Sequence, residues 1–452
     1  MKKYETYKDS GLEWLGCVPK HWEVVPIKYV LDQSNEGIKI GPFGSSLTGK
    51  VSPDYPVRVY GQWNVVGQDF NAGKNFVTEE TYEELSSYQI SPNDILISMM
   101  GTVGKCAIIP ETAERGIMDS HIVKVRLDNN KILPEFFYYI YDKDCSKVVI
   151  EQIQRNKRGS IMDGLNSSLI KNFIITLPPL TEQRTIAAYL DHKVGQIDAL
   201  ISEKEKMVDD LKAFRSSVIT EAVTKGLDKN VEMKDSGLEW LGNVPGNWEV
   251  LPLKHLVSEP LQYGANESAD DCIISDPRYI RITDITENGD LRDSTYKTLP
   301  RSKAIGYMLK KGDVLFARSG ATVGKTYVFK EDYDACFAGY LIKASCNKKL
   351  IPMFLYYFTS SNSYENWKNS IFNQATIQNI GADKYSILPI PLPSRSEQQK
   401  IVNYLNDKID KIGNAISEQE HQLSDLKSYK ASLITEAVTG KIDLRDWQTQ
   451  KA

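Results

Sequence analysis

Asp9 to Val24 reads DSGLEWLGCVPKHWEV, and Asp235 to Val250 reads DSGLEWLGNVPGNWEV. Thirteen of the sixteen positions are identical, and VPIK and LPLK follow in matching places. Such self-similarity means that one structural unit has been used twice. A second match begins at Glu182-Gln183 and Glu397-Gln398. It runs without a gap to Thr220-Glu-Ala-Val-Thr224 and Thr435-Glu-Ala-Val-Thr439. A weaker third match pairs Asp94 to Lys105 with Asp313 to Lys325, with one insertion. Between these anchors the halves show little similarity. Each half is therefore a shared lead-in, a divergent domain and a shared helix. The order is cyclic, because the segment at Asp235 follows the first helix and the second helix has only Asp9 to Val24 left as its counterpart. The two termini are thus expected to lie side by side, closing a pseudo-two-fold frame.

The shared helices read as coiled-coil stock. From Thr181 to Val223 there is no proline, and apolar residues at Leu190, Val194, Ile197, Ile201, Val208 and Leu211 step by fours and threes. The second copy gives Leu405, Ile409, Ile412, Ile416, Leu423 and Leu426. That period defines a heptad seam. It breaks at Lys204 and Arg215, and at the corresponding Gln419 and Lys430. A seam of about 40 residues extends ~60 Å, more than one small domain covers. Mutual antiparallel pairing is the economical expectation.

The divergent parts read as mixed α/β. Val57 to Tyr60, Ile122 to Leu127 and Tyr279 to Ile282 alternate apolar and polar residues, as half-buried strands do. Glycine-rich turns punctuate them, and the aromatic runs from Pro134 and Pro352 read as core helices. The division is residues 1–24 lead-in, 25–177 first divergent domain, 178–228 central helix, 229–250 repeated lead-in, 251–392 second divergent domain and 393–452 C-terminal helix.

Composition excludes several functions. With 41% apolar and 25% charged residues the chain reads as globular. No apolar run is long enough to span a membrane and no secretory leader is visible, so the expectation is a cytoplasmic protein with no membrane partner. The six cysteines form no Cys-x-x-Cys pair, and the five histidines lack ligand spacing, so no metal site is expected. Gly320-Ala-Thr-Val-Gly-Lys-Thr326 resembles a phosphate loop but holds three residues between its glycines, where that loop needs four. It is read either as a plain turn or as a turn offering Lys325, like Lys105 in the first half, to a DNA phosphate. Leu177-Pro-Pro-Leu180 is no adenine-methylation loop, and no nuclease carboxylate set stands out. The net charge of −4 argues weakly against nucleic acid. Local basic clusters nevertheless exist: Arg155, Lys157 and Arg158; Arg278 and Arg281; and Arg301, Lys303, Lys310 and Lys311. Arginine reads guanine edges while lysine and serine hold phosphates; the alternative is a solvated charged face.

Taken together, the two DSGLEWLG segments, Ile38-Lys-Ile-Gly-Pro-Phe-Gly-Ser-Ser-Leu47, the Gly312 to Lys325 run and the proline segments leading into Glu-Gln helices resemble the specificity subunit of type I restriction-modification systems. The resemblance covers nearly the whole chain. It implies two target recognition domains, each reading half of a bipartite, asymmetric double-stranded DNA site. It implies helices that space these domains and dock two modification subunits, with restriction subunits joining the complex. It also implies no catalysis and no bound cofactor in this chain, S-adenosylmethionine, ATP and magnesium being carried by partners. On this basis the DNA-contacting candidates are Lys39, Ser45, Ser46, Lys105, Arg155, Lys157, Arg158, Arg278, Arg281, Arg318, Ser319 and Lys325. The alternatives are the specificity component of a related bifunctional restriction enzyme, a coiled-coil scaffold that binds only proteins, and an NTPase.

Overall fold

The structure is a computed structural model that describes residues 2–33, 37–99, 102–142, 147–157, 166–268, 275–286, 289–320, 322–372 and 379–448. It comprises two compact units: Met1–Glu205 with His421–Ala452, and Lys206–Glu420.

The first unit opens on a hairpin of β1 (Tyr7–Asp9) and β2 (Cys17–Pro19), followed by β3 (Glu23–Pro26) and β4 (Ile38–Ile40). Next come β5 (Val57–Tyr60), α1 (Gln62–Gly67), β6 (Phe76–Val77), α2 (Glu79–Glu84), β7 (Ile95–Ser98), β8 (Cys106–Ile108), β9 (Gly116–Met118) and β10 (Ile122–Val125). Helices α3 (Pro134–Tyr141), α4 (Lys147–Lys157) and α5 (Ser167–Asn172), then β11 (Ile174–Leu177), lead into the long α6 (Leu180–Lys225). An antiparallel sheet has the order β4-β10-β7-β8. A second sheet, β6-β5-β9, joins β5 to β9 in parallel.

The second unit repeats this plan. It runs β12 (Met233–Asp235), β13 (Asn243–Pro245), β14 (Glu249–Pro252), β15 (Gln262–Tyr263), β16 (Arg278–Ile280), α7 (Arg301–Ala304), β17 (Asp313–Ala317), β18 (Thr326–Val328), β19 (Ala335–Phe337) and β20 (Leu341–Ser345). It closes with α8 (Pro352–Phe358), α9 (Asn362–Phe372), α10 (Ala382–Ser386), β21 (Pro389–Leu392) and α11 (Arg395–Val438). The sheet β15-β20-β17-β18 matches the first, and β16 lies parallel to β19 as β5 does to β9. The weak third sequence match is thus a true equivalence, β7-turn-β8 with β17-turn-β18.

The strands are more enclosed than their alternation suggested. Every residue of β5, β7, β10, β16 and β17 is buried, polar ones included. The buried cations are all engaged, as burial demands. Lys124 Nζ donates to the Gln89 carbonyl at 2.8 Å, and Lys343 pairs with Glu259 at 3.1 Å. Arg58 binds Glu114 at 2.8 Å and lies over the Phe76 ring.

Both long helices contribute to both units, and in each they pack antiparallel. In the first, Lys430 pairs with Asp198, Lys427 with Glu205, and Lys204 with Gln422. In the second, Lys212 pairs with Glu420, and residues 218–223 share a core with 401–409. Of the expected seam, Leu190, Ile197, Val208, Leu405, Ile409, Ile412, Ile416 and Leu423 are buried. Val194, Ile201, Leu211 and Leu426 are half-buried. The seam breaks Lys204 and Lys430 are filled by the polar pairs just named. The helix ends do further work that the seam did not announce: Ile186, Tyr189 and Leu433 to Val438 belong to the first domain's core.

The repeated glutamines explain how domain and helix are clamped. Gln183 Oε1 accepts from the Leu133 N–H at 2.8 Å, and its Nε2 donates to the Lys131 and Pro178 carbonyls at 2.8 Å. Gln398 does the same with the Ile351 N–H and the Lys349 and Pro393 carbonyls. Both glutamines are fully buried. The repeated threonines serve the next helix: Thr435 Oγ1 accepts the Lys147 N–H at the start of α4, and Thr220 Oγ1 accepts the Asn362 N–H at the start of α9.

The expected closure of the termini is present in the first unit. Asp443 N–H donates to the Lys2 carbonyl at 2.9 Å, Lys2 pairs with Asp446, and Arg445 lies over the Tyr4 ring. Glu182 gathers this corner by accepting from the Trp22 indole and Tyr4 hydroxyl, both at 3.0 Å.

Candidate nucleic-acid interface

Parallel strands leave a sheet at the same end. In the first unit the exits of β5 and β9 therefore meet, and the ends of β4 and β7 reach the same place. Gly41 N–H donates to the Ile122 carbonyl at 3.0 Å, and Met99 N–H to the His121 carbonyl at 3.1 Å. The loops close on Asp119. A Cβ on Gly41 would fall 1.6 Å from the Asp119 carbonyl oxygen, and one on Gly61 would fall 2.7 Å from its Oδ2. Only glycine permits that approach. Burial pushes the Asp119 carboxyl above the usual carboxylate range, opposed by the His121 N–H and imidazole. Around this point stand Ser45, Ser120, His121 and two rings held almost wholly in solvent, Phe43 at 86% exposure and Trp63 at 82%.

The second unit builds the same corner with other side chains. Gly264 N–H donates to the Leu341 carbonyl at 3.2 Å, and its Cβ would meet the Ala338 oxygen at 2.3 Å. Arg318 lies over the Tyr263 ring at 5.0 Å, and its Nη1 reaches the Gly339 carbonyl at 3.5 Å. Its Nε is buried with no hydrogen-bond partner among the described residues. Tyr340 is 63% exposed beside it. Ser319 bridges to Asn379.

The other sequence candidates divide by what they touch. Ser45 and Ser46 sit in the short turn Gly44–Ser46 at the first corner. Lys39 lies within β4, its ammonium 5.3 Å over the Tyr88 ring. Lys105 approaches the fully buried Asp142 at 3.8 Å. At the equivalent place in the second unit Thr359 bonds Thr326, and Lys325 forms no ion pair among the described residues. Arg278 corrects the sequence reading. It is 4% exposed, donates to the Tyr333 hydroxyl and the Arg292 carbonyl, and lies over the Tyr296 ring. No face remains for a phosphate, because a strand arginine here anchors the surrounding loops. Arg281 is similarly spent on Asp284 and the Thr295 carbonyl. Arg155 is exposed, away from the loop corner. It lines a cleft of about 500 Å³ with Glu13, Trp14, Lys147 and Lys441. Lys157 lies at the end of α4, and its side chain and Arg158 fall outside the described residues. Arg301, Lys303 and Lys311 pair with Asp334, Glu267 and Asp332, a solvated charged surface.

The loop resembling a phosphate cradle is a turn. The Val323, Gly324 and Lys325 amides donate to the Gly320, Ala317 and Thr322 carbonyls, so they are not turned toward a ligand. Among the described residues no group of metal-ligating side chains occurs, and no helix is long and apolar enough to cross a membrane.

Phe43, Trp63, His121 and Tyr340 were not among the sequence candidates, because nothing in the sequence marks an aromatic residue as exposed. The available signal was position: each follows closely on a loop that leaves a strand.

One frame used twice, with unlike side chains at the same loop corner, defines a protein with two recognition modules on a common scaffold. The type I restriction modification DNA specificity domain matches residues 19–208 and 246–423, and the chain belongs to that family. It is 24% identical to the EcoBI specificity subunit of Escherichia coli, over 80% of this chain and 76% of that protein. It is also 24% identical to the MjaVIII specificity subunit of Methanocaldococcus jannaschii, over 98% and 97%. A solved chain from a type I R-M system shares the fold with a TM-score of 0.69 at 17% identity, covering 94% of this chain and 99% of the other.

Proposed function

We propose that this chain is the DNA specificity subunit of a type I restriction-modification complex, each unit reading one half of a bipartite, asymmetric site. The observation that carries the reading is the pairing of a repeated frame with divergent loop corners. Two unlike half-sites require different readers at a fixed spacing. The contacts fall to Ser45, Ser46, Ser120 and His121 in the first unit, and to Arg318, Ser319, Lys325 and Tyr340 in the second. The long helices space the units and dock two modification subunits, and restriction subunits join that complex. In the second unit Met207 and Phe214 lie exposed beside the seam, seven residues apart, which suits helix-on-helix docking. This chain contributes recognition; partners supply S-adenosylmethionine, ATP, magnesium and the chemistry, the adenine being flipped from the stack for methylation.

Selection from a randomised duplex pool, with the modification subunit present, is expected to enrich one bipartite sequence. Failure to enrich any such sequence would reject the reading in favour of a protein-only scaffold. Salt titration on the selected site tests the lysine assignment. Lys325→Ala is expected to weaken binding and reduce the log-affinity against log-salt slope by about one. Lys105→Met and Arg278→Met should lower thermal stability and leave that slope unchanged. A slope change in Arg278→Met would overturn its structural assignment.

A further inference from the structure

We propose that Phe43 and Trp63 form an aromatic wedge that stacks against nucleobases in the half-site read by the first unit. The inference rests on the DNA-reading function above and adds a mode of contact to it. Large rings are ordinarily buried, and a pair held in water marks an interaction surface. These two are among the most exposed large side chains of the chain, at 86% and 82%. They flank one point: Gly44, next to Phe43, lies against Ser120, and Gly61, at the start of the Trp63 turn, lies against Asp119.

Their backbone is fixed. Ser46 N–H donates to the Phe43 carbonyl at 2.8 Å. Buried Asn64 accepts from Gly61 N–H at 2.9 Å and donates to the Asp69 carbonyl at 2.8 Å and the Ala72 carbonyl at 3.0 Å. The rings are therefore presented on a preorganised edge, with the Ser45 and Ser120 hydroxyls and the His121 imidazole beside them.

The partner chemistry follows from comparison of the two corners. A protein common to both units would favour the segments that are the same in both. This corner differs: Tyr263, Arg318 and Tyr340 occupy the second unit's version. Aromatic faces recur while the side chains change, as unlike base steps require. Apolar wedges of this kind partly unstack a base step, and stacking tolerates any base.

The test uses the full chain assembled with its modification subunits on the selected duplex, with 2-aminopurine placed at successive steps. Wild type is expected to raise the fluorescence at one step, in one half-site only. Phe43→Ala with Trp63→Ala should abolish that rise and weaken binding roughly 10- to 100-fold. Trp63→Phe, which keeps a ring, should retain most of both. Binding within twofold of wild type with an unchanged 2-aminopurine signal would overturn the wedge and leave the DNA-reading function standing. Loss of assembly with the modification subunits would also overturn it, assigning the rings to a protein interface. If wild type selects no bipartite duplex, the underlying reading fails instead.

Discussion

Gln398→Leu is expected to destabilise the second unit by about 2–6 kcal/mol. The side chain fits the space but cannot replace the bonds. The Ile351 N–H and the Pro393 carbonyl would each lose their glutamine partner in a buried place, and the Lys349 carbonyl would lose its own in a part-buried one. An unsatisfied buried group costs about 1–3 kcal/mol, and two such groups consume a large part of the ~5–15 kcal/mol that holds a domain together. Gln183→Leu should do the same to the first unit, through Leu133, Lys131 and Pro178. Hydrogen exchange separates the two, because each substitution should speed exchange in its own unit first: around α8 for Gln398 and around α3 for Gln183. Gln398→Glu, which keeps the acceptor and loses both donors, should fall between wild type and leucine. Exchange unaltered around α8 in Gln398→Leu would mean that the domain is not held to its helix through this side chain.

The Glu-Gln repeat was plain in the sequence, but its task was not. A buried glutamine and a solvated one look alike until the chain brings Leu133 or Ile351 to it from about 50 residues away. The frame was legible for a different reason. Duplication and heptad spacing are properties of the chain written along itself, so the two helices, their seam and the meeting of the termini could be read directly. Strand burial was only half legible. A period of two says that Lys124 and Val125 face opposite ways; it cannot say that both faces are covered. The surroundings of the candidate contact residues were least legible. A glycine turn led to Lys105 and a basic cluster to Arg278, whose partners Asp142 and Tyr333 lie far along the chain. Nothing along the chain told that Phe43 and Trp63 would stand in solvent, on loops whose glycines Gly41 and Gly61 pack on Asp119.

Gly440 and Gly226 offer a matched pair in which one substitution should cost much more than its twin. Each ends a long helix in the left-handed region, at φ of +71° and +75°. Alanine pays about 1–2 kcal/mol for that conformation at either place. What lies opposite differs. A Cβ on Gly226 would stand 3.2 Å from the Glu397 carboxylate and from the Trp248 ring, and the carboxylate can swing aside. A Cβ on Gly440 meets the Trp22 ring at much the same distance, 3.1 Å, but would also stand 2.3 Å from Pro19 Cδ, a rigid ring that cannot swing aside. Overpacking of that sort adds about 1–3 kcal/mol. Gly226→Ala is therefore expected to lose about 1–2 kcal/mol and Gly440→Ala about 2–5 kcal/mol. The consequences differ further because the chain continues from Gly226 into its own lead-in hairpin, whereas Gly440 meets Pro19 only by contact. Around it the Lys441 ammonium donates to the Leu15 carbonyl at 3.1 Å, and Asp443 N–H donates to the Lys2 carbonyl. Pushing Pro19 away should loosen that whole corner together, so Gly440→Ala should expose the 2–24 segment to limited proteolysis while Gly226→Ala leaves it protected. Equal stability losses with equal protection would mean that contact with Pro19 does not hold the non-covalent junction of the repeat.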